Sequence, residues 1–424
     1  MSLRDHIKLS RVARLFLLFF VVTMGFHGLY RHFNRITAWQ LVMGSDMEGY
    51  YQYLPYTFFK HLDMDQMRWA RNYGEDKKLN VFTCGVAILE LPFFIVAHGV
   101  SELLEMENPG YNAVYYHTVL FAAIFYVFIG LYYLYKALRR FFSREASLLT
   151  AIMAFLATNL FYYTVMQPGV SHAYSFFLLS VYIYFVPGFY EKPGIKSSLF
   201  MILPLALAVL IRPTNILAGF YFLFYGLSSF RELGPRLGVL AGRWHLLLLM
   251  AFVSFLVFVP QMLYWHKVTG KWIVYSYTDS RFTNALHPQF RTVLIGARNG
   301  WYLYTPLMII ATGGLLYLAY LRRFTAPAIL LMMILIIYIN ASWFNPTFSS
   351  SAGCRVLVEW IPFMAIPLAF VFEKLQHRKG MQRALYVLLA LFVVYNLLFS
   401  YKYQPGIWWN QEWTWSNFLR LVHF

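Results

Sequence analysis

Two carboxylates two positions apart stand in the segment Gly44-Ser45-Asp46-Met47-Glu48-Gly49-Tyr50-Tyr51-Gln52-Tyr53-Leu54-Pro55-Tyr56, just after an apolar stretch. In extended or turned backbone, which the flanking glycines permit, carboxylates at i and i+2 can converge on one hydroxyl as a general base, or on one divalent cation such as Mg or Mn. Asp46 and Glu48 are therefore the catalytic candidates and the candidate metal ligands, with Tyr50 and Tyr51 as neighbouring substrate contacts. A solvated loop whose acids balance Arg31 and Arg35 accounts for the same residues, and the spacing alone does not choose between the two.

The complementary chemistry is cationic. Lys77, Lys78, His172, Arg212, Arg298 and Arg355 are candidates for holding an anionic substrate. An arginine within the hydrocarbon depth costs about 3 kcal/mol on insertion scales, so Arg212, in Leu210-Ile211-Arg212-Pro213-Thr214-Asn215, needs a partner or a polar cavity. Arg355 follows Ser349-Ser350-Ser351-Ala352-Gly353-Cys354, a run of small residues that lets a ligand approach the backbone closely. For Lys77, Lys78 and Arg298 the competing explanation is snorkelling towards lipid phosphates. For His172 it is capping a helix start.

The elements that position these residues are membrane helices. The chain of 424 residues is 60% hydrophobic and 12% charged, too few polar residues to clothe a water-soluble fold of this size. Apolar stretches near 20 residues, the length of a spanning helix, recur from residue 13 to residue 401. The net charge of +17 would fit a nucleic-acid binder, but the positions of the cations exclude that class. They cluster at loop ends: Arg4, Lys8, Arg11 and Arg14; Lys136, Arg139, Arg140 and Arg144; Lys192 and Lys196; Arg231, Arg236 and Arg243; Arg322 and Arg323; Lys374, Arg378, Lys379 and Arg383. Placing every cluster on the cytoplasmic side requires an even number of crossings between neighbours.

That parity leaves the stretch 81–100, with Glu90, Pro92 and His98, as a re-entrant or juxtamembrane element inside a long first external loop, 31–112. The expected spans are 15–30, 114–135, 147–166, 173–190, 197–211, 216–228, 244–265, 303–321, 326–344, 356–372 and 384–401. About eleven crossings put the N-terminus in the cytoplasm, with 15–30 a retained helix and not a cleaved signal. The pair 197–211 and 216–228 is too short for two full crossings and should form a V with Arg212 near its apex. The reading is an all-α polytopic membrane domain, 1–401, with a second external loop at 266–301 and an aromatic external tail, 402–424. There is no phosphate-binding loop, dinucleotide fingerprint or zinc-protease motif, so no nucleotide cofactor is expected. Cys84 and Cys354 fall on the same external side, where a disulfide is open to them, although two such thiols are more often independent.

In order and sidedness these features resemble the GT-C superfamily of membrane glycosyltransferases, in its bacterial branch, and are similar in plan to the aminoarabinose and protein O-mannosyl transferases. The resemblance rests on Gly44 to Pro55, on Gly85 to Phe94 followed by His98, on Ser171-His172-Ala173-Tyr174-Ser175-Phe176 and on Leu210 to Asn215. It extends to Asn299-Gly300-Trp301-Tyr302-Leu303-Tyr304-Thr305-Pro306 and to Gly353-Cys354-Arg355 before Pro362, covering residues 15 to about 375. It implies juxtamembrane helices in the first loop, a polyprenyl-phosphate-linked sugar as donor, and a glycan, lipid or protein acceptor on the periplasmic side of the bacterial inner membrane. It further implies that Asp46 is the essential acid with Glu48 as partner, and that Arg212 and Arg355 hold the lipid phosphate. The chain departs from the pattern in having Asn80-Val81-Phe82 where related chains often carry a Lys-Tyr-Pro turn; Lys77 or Lys78 is then the substitute. One rival class is a secondary transporter or lipid flippase, which would show broken helices as well but usually carries internal repeats, and none is visible; the other is a binding or scaffold protein of an envelope assembly, which would explain the aromatic tail but leaves Asp46, Glu48 and Arg212 without a task.

Overall fold

The computed structural model describes residues 10–59, 67–73, 77–277, 280–323, 325–349, 351–403 and 413–423. Arg4 and Lys8 of the first basic cluster, Ser350 of the small-residue run and residues 404–412 of the tail lie outside them. The chain begins with α1 (Arg11–Asn34), whose N-cap Ser10 accepts a hydrogen bond from the Ala13 amide. The first loop then folds as three short helices, α2 (Ala38–Met43), α3 (Met47–Tyr51) and α4 (Tyr53–Phe59), and an antiparallel hairpin of β1 (Ala70–Asn72) and β2 (Lys78–Asn80) with Arg71 opposite Leu79. Next come α5 (Gly85–Leu103), α6 (Ala113–Leu138), α7 (Arg144–Leu156), α8 (Leu160–Val165), α9 (Ser171–Glu191) and α10 (Ile195–Ile211). After a 3-10 turn at Pro213–Ala218 follow α11 (Gly219–Phe224), α12 (Leu233–Ala241) and α13 (Trp244–Thr269). The last part holds α14 (Phe290–Ile295), α15 (Trp301–Tyr304), α16 (Leu307–Tyr320), α17 (Ala326–Ser342), a 3-10 turn at Arg355–Trp360, α18 (Ile361–Leu375), α19 (Lys379–Lys402) and α20 (Trp415–Val422).

This is an all-α polytopic membrane protein. Among the described residues seven helical segments are long and apolar enough to cross a bilayer: α1, α5, α6, α9, α13, the run Arg355–Leu375 and α19; four more, Ile195–Ile211, Pro213–Phe224, Leu307–Tyr320 and Ala326–Ser342, are apolar but shorter. The outward faces are apolar, as lipid contact demands. Leu17, Leu18, Val21 and Val22 of α1, Leu248, Phe252 and Phe255 of α13, and Val387, Leu391 and Val394 of α19 are all exposed. The interior is built on α6, α9, α10 and α18, with α18 buried along nearly its whole length. Lipid gives apolar side chains little reason to leave it, so helix association depends on close fit. Gly130 of α6 provides it: a Cβ there would lie 2.9 Å from the Phe177 Cα of α9.

Three expectations change in detail. The stretch 147–166 is not one helix: α7 stops at Ala157 and α8 starts after Asn159. The stretch 303–321 is likewise divided at Thr305-Pro306. The segment 81–100, expected as a re-entrant or juxtamembrane element, holds one unbroken helix, α5, that has the length and composition of a span and carries Pro92 in its third turn. Its packing is nonetheless one-sided. It runs antiparallel along the first half of α6, Tyr126 donating to the Leu89 carbonyl (2.9 Å), Phe93 against Phe121 and Phe125, His98 on Tyr115 and Asn112 on Ser101. The first turn of α5 meets the end of α10, where a Cβ on Gly85 would lie 2.7 Å from Ile211 Cγ1.

Candidate active site

The break after α10 follows from Pro213. The residue before a proline is driven out of the helical region, and Arg212 is extended at φ −145°, ψ 114°. Carbonyls freed at the helix end need donors. Thr83 Oγ1 donates to Leu210 O (2.5 Å) and Asn215 Nδ2 to Ala208 O (3.0 Å), so the chain folds back with Arg212 at the apex, as the V requires.

The acidic segment is held from outside by the hairpin. Arg68 donates to Gly44 O (2.8 Å), Trp69 Nε1 to Ser45 O (2.9 Å) and Asn80 Nδ2 to Gly49 O (2.6 Å). Gly49 is required by contact: a Cβ there would lie 2.3 Å from Phe82 Cδ2. The hairpin is in turn tied to α13, where Tyr264 accepts from the Asn80 amide (3.0 Å) and Gln261 from the Cys84 amide (2.7 Å).

The small-residue turn before Arg355 is fixed by the α7–α8 break, which gives that break its purpose. Asn159 Nδ2 donates to Ala352 O (3.2 Å), and Tyr163 Oη accepts from the Ala352 amide (2.9 Å). Asn299 supports the residues leading into the turn through Thr347 O (2.6 Å) and Ser349 O (3.1 Å).

These three constructions meet at one cavity of about 390 Å³, lined by Asp46, Tyr50, His172, Arg212 and Arg355 on its polar side. Val81, Phe82, Trp265, Tyr277, Phe282, Ile339 and Trp343 form the apolar and aromatic side. Arg355 Nη1 donates to Asp46 Oδ2 at 3.0 Å. Arg212 Nε lies 2.9 Å from Glu359 Oε1, an ion pair without hydrogen-bond alignment, and His172 Nδ1 lies 2.6 Å from Glu359 Oε2. Glu359 is 1% exposed, so its charge has no water to rely on and depends on these two partners. Burial, with Asp46 nearby, raises the Tyr50 phenol far above its ordinary range, so it stays protonated and serves as a hydrogen-bond donor.

The remaining candidates lie elsewhere. Glu48 does not line the cavity; its Oε1 accepts from the Arg68 amide (3.3 Å). The cause is local: Asp46 is already helical (φ −57°, ψ −22°) at the start of α3, and successive alternate residues on a helix diverge by about 200°. The two carboxylates therefore do not converge, and no group of three or more His, Cys, Asp or Glu capable of holding a metal occurs among the described residues. With Asp46 engaged by a guanidinium, this donor set does not fit a divalent cation. Tyr51 is a packing residue whose hydroxyl donates to Gly110 O (2.5 Å). Lys77 and Lys78 flank the hairpin turn and Arg298 sits near Tyr304, all outside the cavity lining. Cys84 and Cys354 are both free and buried. Glu359 and the aromatic wall are absent from the sequence-based candidates; an acid within the apolar run Val356-Leu357-Val358-Glu359-Trp360-Ile361 is the signal that could have found it.

Compared with protein-family models, curated proteins and solved structures, the chain matches none.

Proposed function

We propose that this protein is a membrane glycosyltransferase that moves a sugar from a polyprenyl-phosphate-linked donor to an envelope glycan, lipid or protein hydroxyl on the periplasmic side of the inner membrane. The observation that carries the reading is the junction of Asp46, Arg355 and Arg212 in one cavity with an aromatic wall. Glycosyl transfer from a phosphate needs fixed positive charge at the leaving group and a base at the incoming hydroxyl. Arg212 and Arg355 supply the charge. Asp46 takes the hydroxyl proton as the acceptor oxygen bonds to the anomeric carbon, and the carbon–oxygen bond to phosphate breaks with its electron pair leaving on the lipid phosphate. Tyr277 and Trp343, 6.0 Å apart and edge-on, offer apolar faces suited to a sugar ring.

With one carboxylate acting in a single displacement, the anomeric configuration inverts. The experiment is incubation of purified protein with polyprenyl-phosphate sugars and envelope acceptors, with the product's configuration read by NMR. An inverted product supports the reading and a retained one refutes the single displacement. Reconstitution in liposomes that moves intact donor across the bilayer without cleaving it would favour a flippase instead.

A further inference from the structure

Glu359, 1% exposed, lies behind the cavity wall and faces two of its cationic or potentially cationic side chains, Arg212 and His172. Arg212 is held at Nε only; its two terminal nitrogens have no hydrogen-bond partner among the described residues, and its side chain is 25% exposed where it lines the cavity. A guanidinium gripped from behind at Nε is left with a parallel pair of donors at the front, the fork that matches two oxygens of a phosphate. Arg355 has a different arrangement, since one terminal nitrogen is already committed to Asp46. The second Glu359 oxygen fixes the His172 ring through Nδ1, which leaves that carboxylate no freedom to turn away from Arg212.

We propose that Glu359 is a positioning residue for the donor phosphate: it holds Arg212 off Asp46 and presents the free fork to the phosphate group. This rests on the function proposed above for the identity of the anion. Asp46 is the carboxylate that lines the cavity; without Glu359 behind Arg212, both guanidinium groups would compete for it, drawing Arg212 out of its phosphate-binding pose.

The test is binding, which needs no turnover. Affinities of the full-length detergent-solubilised protein for a polyprenyl phosphate and for the corresponding neutral polyprenol are measured in wild type, Glu359→Gln, Glu359→Asp, Arg212→Gln and the double variant Glu359→Gln/Arg212→Gln. Wild type should prefer the phosphate by about tenfold or more, and Glu359→Gln should lose about tenfold of phosphate affinity while polyprenol affinity is unchanged. Glu359→Asp should recover part of the preference, and the double variant should be no weaker than Arg212→Gln alone. A packing role would instead weaken both lipids together. Equal affinity of wild type for both lipids, an unchanged preference in Glu359→Gln, or losses that multiply in the double variant would overturn the proposal. Should Glu359→Gln fail to fold, the Asp and double variants decide it. Selective phosphate binding by a wild type that transfers no sugar would sink the transferase reading and leave the positioning role standing.

Discussion

Asp46 and Arg355, 309 positions apart, are joined at 3.0 Å inside the cavity. The pair has a consequence for the reaction order. In the proposed transfer reaction Arg355 would be both the cation nearest the base and a ligand for the leaving group, so an incoming phosphate would compete with Asp46 for it. On that proposal donor binding would free the carboxylate to take a proton, and water in an empty site would meet a base already neutralised.

Arg212→Lys keeps a positive charge opposite Glu359 but replaces the planar fork with a single ammonium. Donor affinity should fall by about tenfold, with little change in melting temperature. A donor titration of both proteins by isothermal calorimetry checks this, and an unaltered affinity would remove Arg212 from the phosphate site.

Glu48→Gln should separate Glu48 from the chemistry. Burial raises the Glu48 carboxyl above its ordinary value, opposed by the Arg68 amide and charge. A carboxyl raised on folding contributes stability below its unfolded pKa and loses that contribution as pH rises through the folded value. The variant should therefore match or exceed wild type in melting temperature at neutral pH, with the difference shrinking in acid, and should keep its activity. Thermal melts across pH, paired with a transfer assay, give both readouts.

Gly49→Val places a side chain where Phe82 stands, 2.3 Å from the added Cβ. Overpacking of this kind costs about 1–3 kcal/mol. The melting temperature should drop, and donor affinity with it, because Phe82 is part of the cavity wall.

The packing of α5 along only the first half of α6 predicts that both of its ends face the outside. Lys77→Cys and Asn108→Cys, at exposed positions on either side of the helix, should label with an impermeant thiol reagent from the same face, the native cysteines being buried. Labelling from opposite faces would make α5 a full crossing and reverse the parity on which the orientation of the helices after it depends.

Residues whose type is costly in a membrane were legible in advance. Arg212 before a proline and Arg355 after a small-residue turn could be singled out because each breaks an apolar pattern, and the V at Arg212 followed from helix length. Asp46 was legible only as half of a pair, since spacing cannot say whether residues 46–48 are extended or helical, and helical geometry turns Glu48 away. Lys77, Lys78 and Arg298 carried the right charge, but charge does not fix direction. Glu359 was hidden because one acid hardly alters the apolar character of its run, and the α7–α8 break was hidden because Thr158-Asn159 carries neither glycine nor proline. Its cause is tertiary: Asn159 and Tyr163 are needed at the turn before Arg355.

The most direct measurement is release of free polyprenyl phosphate from a polyprenyl-phosphate sugar in the presence of an acceptor extract, by wild type and by Asp46→Asn. Asp46 sits at a partly exposed loop position, so its substitution should change stability by no more than about 1 kcal/mol. Release by wild type should fall by a factor of about 100 or more in Asp46→Asn, while lipid-phosphate binding persists. Equal release by the two proteins, or none by a folded wild type across the sugar donors tried, would contradict the assignment.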